Sequence, residues 1–138
     1  MNKKIVLISC VSKKLAHRAK AKELYISTLF KLNLKYATQL TADEIFILSA
    51  QYGLLTLDQE IDPYEKTLNT MKSAEIKTWS DQVLEQIKAI CSIDNSEFIF
   101  LTGEKYRKHL LPHIGNHQIP LEGLRIGEQL QKLKKLTS

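Results

Sequence analysis

The chain has 138 residues, enough for one domain with a real core. A hydrophobic share of 43% and a charged share of 25% exclude a disordered or membrane-embedded class, and no apolar run approaches the ~20 residues of a membrane helix. The formal net charge of +5 suits a polyanionic partner such as nucleic acid.

Ile5 to Ser9 is a short, β-branched apolar run that reads as a strand buried on both faces. With the basic prefix before it, that run is too short for a secretory signal and has no small-residue cleavage pattern, so the chain is expected in the cytoplasm. Val11 to Lys22 reads as a basic loop, and Lys13, Lys14, His17, Arg18, Lys20 and Lys22 crowd it. Glu23 to Leu40 reads as a helix on the spacing of Leu24, Leu29, Leu32, Tyr36 and Leu40. Ile45 to Ser49 is the second strand. Gln51 to Leu68, marked by Gly53 and Pro63, reads as a long functional loop.

Ser73 is expected to cap a helix carrying Ile76, Trp79, Val83, Ile87 and Ile90 on one face. Phe98 to Leu101 is the third strand, and Thr102-Gly103 opens a helix from about Glu104 to Leu111. The segment around His117 reads as a short edge strand or extended turn, and Ile126 to Leu136 as a terminal helix. Alternating strands and helices predict a three-layer αβα domain over 1–138, with a mainly parallel sheet of three or four strands. Ligands of such sheets bind beyond the carboxyl ends of the strands, and three loops are expected to converge there.

Four clusters carry chemistry. Ser9, Cys10, Lys13 and Lys14 could offer N–H groups and ammonium charge to a phosphate; the plainer alternative is a solvated basic loop. Cys10 and Cys91 lack any metal-ligand spacing and are expected to be free thiols, with no metal. The second cluster is Ser49, Tyr52, Gly53, Asp58, Asp62 and Tyr64. Its carboxylates could place a water or hold a base edge, or simply make turn bonds. Its tyrosines are either core or stacking faces. Gly53 is expected to hold a backbone conformation other residues resist.

In the third cluster, Thr102 and Gly103 could admit a ligand close to a helix start, with Tyr106 reaching back over the sheet edge; a tight βα turn and a surface helix are the equally economical alternative. In the fourth, around Arg125, Gly127 is expected to let a helix lie close to its neighbour, and Glu128 to be a first-turn carboxylate.

Several blocks in order carry a resemblance. Ser9-Cys-Val-Ser-Lys-Lys-Leu15, Leu48-Ser-Ala-Gln-Tyr-Gly-Leu-Leu55, Ile61-Asp-Pro-Tyr64 and Leu101-Thr-Gly-Glu-Lys-Tyr106 resemble the YaaA family. With Leu24-Tyr-Ile-Ser-Thr-Leu-Phe30 and the run from Pro120 to Gln129, nearly the whole chain is similar to a compact, uncharacterised family of bacteria and phages. The resemblance implies a fold similar to uracil-DNA glycosylases and a role in nucleic-acid handling or stress protection.

It departs from the best-known uracil enzymes, because the Gly-Gln-Asp-Pro-Tyr-His and His-Pro-Ser loops are absent. The extra helical region of full-length YaaA is missing as well. On this reading Asp58, Asp62 and Lys13 are candidate catalytic residues, Lys13 and Lys14 meet phosphate, and Tyr52 and Tyr64 stack a base. Ser9, Cys10, Ser49, Gly53, Thr102, Gly103, Tyr106 and Arg125 line the ligand site. The expected partner is nucleic acid, DNA foremost, or a nucleotide, with no cofactor and no membrane. The alternatives are a noncatalytic DNA-binding or nucleotide-sensing module and a small-nucleoside N-glycosidase.

Overall fold

The computed structural model describes residues 3–9 and 13–138. Strand β1 (Lys3–Ser9) lies at the centre of the sheet, flanked in parallel by β3 (Glu44–Ser49) and β6 (Ser96–Leu101). The order is β4-β3-β1-β6-β7, with β4 (Gly53–Thr56) antiparallel on one edge and β7 (His117–Gln118) parallel on the other. A separate ribbon pairs β2 (Ala19–Lys20) with β5 (Glu60–Ile61).

Helices cover both faces, because the central strands are apolar on both. Ile5 and Leu7 face one core with α3 (Ser73–Ile90), while Val6 and Ile8 face the other with α2 (Thr28–Gln39) and Leu133 of α5 (Ile126–Leu136). Each such buried side chain contributes about 1.5–3 kcal/mol. The α/β class and the mainly parallel sheet agree with the sequence pattern. The sheet has five strands, however, where three or four were expected.

The extra strand explains the difference. Gly53 has φ +74°, so the chain reverses within four residues and Leu54, Leu55 and Thr56 pair back onto β3. The long loop of the sequence reading is therefore part sheet edge, part ribbon. The Glu23–Leu40 helix is also broken, into α1 (Ala21–Leu24) and α2. Between them Tyr25 bridges to Lys14, and Ser27 caps α2 by accepting the Phe30 N–H at 3.2 Å.

Two further local expectations are corrected. Ser73 is the first residue of α3 rather than its cap; Glu75 accepts the Lys72 backbone N–H at 3.1 Å instead. The helix after Gly103 is only α4 (Glu104–Arg107), followed by a 3₁₀ turn at Leu111–His113. Among the described residues no helix is long and apolar enough to cross a membrane.

Candidate functional site

The connections leaving β1 and β6 run to opposite faces. From β1 the chain reaches α2, whose buried face joins the Val6 and Ile8 core. From β6 it enters α4, whose Tyr106 joins the Ile5 and Leu7 core. Adjacent parallel strands whose connections diverge leave a crevice at their carboxyl ends. A cavity of about 750 Å³ lies there. Its floor is Ser9, Leu101, Thr102 and Gly103. The first turn of α2, Asn33, α4 and the start of α5 form its walls.

Two of the three expected strand ends meet at this floor. The Gly103 N–H donates to Ser9 Oγ at 2.9 Å, tying the β1 end to the β6 end. Arg107 Nη1 donates to the Thr102 carbonyl at 2.6 Å. An added Cβ at Gly103 would meet only the Tyr106 ring, at 3.7 Å. Leu29, Phe30, Ile126 and Leu130 supply apolar wall, and Lys105 and Lys108 supply charge at the rim. Among the described residues, Thr102 Oγ1 and Asn33 Oδ1 are buried without a hydrogen-bond partner.

The third loop goes elsewhere. At the end of β3, Ser49 is fully buried and fully employed. Its Oγ accepts the N–H groups of Gln51 (3.1 Å) and Tyr52 (3.0 Å) and donates to Tyr64 Oη at 2.9 Å. Its carbonyl accepts Trp79 Nε1 at 2.9 Å. The Tyr64 hydroxyl also bonds that of Tyr25, and Lys14 Nζ lies 4.5 Å from the Tyr64 ring centroid. Tyr52 meets Tyr64 edge-on at 5.7 Å. Tyr52 and Tyr64 are partly buried against the core, and the Tyr52 hydroxyl donates to the Asp62 carbonyl at 3.4 Å. Gly53 is closed in as well: a Cβ there would lie 2.3 Å from Gln86 Oε1, which accepts the Leu54 N–H at 3.0 Å.

Asp58 and Asp62 do not line the cavity. They project from the ribbon, with side chains 71% and 65% exposed. Asp58 pairs with Lys22 at 3.0 Å and Lys20 at 4.0 Å; hydrogen bonding and charge from Lys22 hold its carboxyl below the ordinary value. Asp62 pairs with Arg18 at 3.3 Å. Lys13 is exposed and gives its carbonyl to the Ile26 N–H at 3.0 Å. Cys10 lies outside the described residues. Cys91 is a free thiol, and burial pushes its pKa up.

Three other expectations change. Tyr106 does line the cavity, but it is buried edge-on against Trp79 at 5.5 Å instead of arching over the sheet edge. Gly127 allows no close helix approach, since a Cβ there meets nothing within 4 Å. Arg125 is exposed and stands just before α5, where its N–H donates to Glu128 Oε1 at 3.0 Å. Sequence reasoning missed Asn33, although the signal was present: an Asn inside an otherwise amphipathic helical run.

Fold and site together define a three-layer α/β protein with a ligand-sized cavity at the switch point of its parallel sheet. The chain belongs to a family of unknown function, DUF6884, whose model matches residues 5–135. It is 33% identical over 144 aligned positions to the uncharacterized protein YfjM of Bacillus subtilis (strain 168), covering 96% of this chain and 94% of that relative.

Proposed function

We propose that this protein binds a nucleobase-containing ligand, free or within DNA, in the cavity between β1 and β6. The cavity carries this reading: its volume suits a nucleotide, its walls are apolar, and it stands at the switch point of the sheet. The first turn of α2 brings N–H groups toward it, and Lys105 and Lys108 add charge for a phosphate. The net charge of +5 supports a polyanionic partner. A uracil-DNA-glycosylase-like fold and a role in DNA handling or stress protection are what the likeness to YaaA adds.

Binding without turnover is favoured over base cleavage. A glycosidase needs a carboxylate or amide to place water at the sugar. Asp58 and Asp62 are committed to exposed ion pairs away from the cavity. Hydrolysis remains the second reading because one carboxylate, Glu104, and the amides of Asn33 and Gln129 do line the cavity.

Titration with single- and double-stranded DNA and with mononucleotides, at rising salt, tests the proposal. DNA affinity is expected to fall steeply with salt. Absence of binding to every one of these probes at low salt rejects it. Mass spectrometry of released bases separates the two readings: release that Glu104→Ala abolishes would establish the hydrolytic one.

A further inference from the structure

Asn33 stands on the buried face of α2, between Phe30 and Ala37, and is only 3% exposed. That face packs against β1 and α5, where an apolar side chain would serve better. Asn is a poor residue for a helix interior, and a buried amide oxygen without a partner costs stability. Among the described residues its Oδ1 has no partner, and neither does Thr102 Oγ1 on the cavity floor; both residues line the same cavity. Local rules broken at one spot, with no structural gain, mark functional positions.

We infer that Asn33 determines specificity by reading one edge of a planar nitrogen heterocycle with its carboxamide. A carboxamide offers an acceptor and a donor side by side, and nucleobase edges carry the matching donor–acceptor pair. Thr102 Oγ1 supplies a second polar contact from the floor. Leu29, Phe30 and Leu101 enclose the ring. The inference rests on the proposed function's reading of the cavity as a base site.

The test measures binding of adenosine, guanosine, cytidine and uridine by calorimetry, with melting curves alongside, for the parent, Asn33→Leu, Asn33→Asp and Thr102→Val. The parent is expected to prefer one or two of the four. Asn33→Leu should weaken the preferred nucleoside at least tenfold while melting no lower than the parent. Asn33→Asp has lost the amide donor and should reorder the four. An unchanged rank order in Asn33→Asp, or unchanged affinity in Asn33→Leu, overturns the inference. If DNA still binds the parent with a steep salt dependence in that case, the proposed function stands without it. If neither nucleosides nor DNA bind the parent, both fall together.

Discussion

The ends of β3 and of the β1–β6 pair lie on the same edge of one sheet, yet their polar groups are treated oppositely. At β3, Ser49 makes every bond its hydroxyl and carbonyl can readily make, and the hydroxyls of Tyr25 and Tyr64 close the network. At β1 and β6, Asn33 and Thr102 keep buried oxygens unpaired beside an open cavity. A satisfied network rigidifies; an unsatisfied one stores free energy that a ligand can recover. The contrast sets the Leu48 to Leu55 block within the architecture and leaves the neighbouring crevice to the proposed recognition.

Breaking the satisfied side should cost most. Ser49→Ala removes a fully buried hydroxyl to which two part-buried backbone N–H groups donate, and should destabilise by about 3 kcal/mol, lowering Tm by on the order of 10 °C. Thermal melting followed by circular dichroism checks this. A loss near zero would show that water replaces the hydroxyl and that the network is not the lock described above.

Gly53→Ala comes next, at about 2 kcal/mol. The added methyl must sit at φ +74° and displace Gln86 from the Leu54 N–H. Urea unfolding of Gly53→Ala and of Gly53→Ala with Gln86→Ala separates the two causes. If relief of the clash outweighs the lost hydrogen bond, the double variant recovers part of the loss.

On the unsatisfied side the sign reverses. Asn33→Leu should leave stability unchanged or raise it by about 1 kcal/mol, because an unpaired buried amide is removed. A clear fall in the urea midpoint would mean that Asn33 belongs to the architecture after all.

The smallest effects belong to the ribbon. Asp58→Asn and Asp62→Asn remove exposed pairs and should leave Tm within the error of a melting curve. Because Lys22 lowers the Asp58 pKa, any contribution is present above the ordinary carboxylate range and fades as pH falls through the lowered value. Melting the parent and Asp58→Asn at pH 7 and pH 3 in low salt reads it: the small gap between them should close at the lower pH.

Local sequence determined a good deal of this protein. The apolar runs at Ile5, Ile45 and Phe98 became the three central strands, because a parallel strand covered on both faces must be apolar throughout. The spacing of Ile76, Trp79, Val83 and Ile87 became the buried face of α3, since helical period is a local property. Ser9, Thr102 and Gly103 were legible as strand-end residues at the working edge for the same reason.

Tertiary structure alone decided the rest. Pairing of β4 onto β3 depends on contacts that only the folded chain makes, so Gly53 to Thr56 looked like loop. The partners of Ser49 lie up to 30 residues away along the chain, in the case of Trp79. The division of labour along the sheet edge was likewise invisible in the pattern. It depends on which side of the sheet each connection takes, and that choice sends α2 and α4 to opposite faces and opens the crevice in which Asn33 is left without a partner.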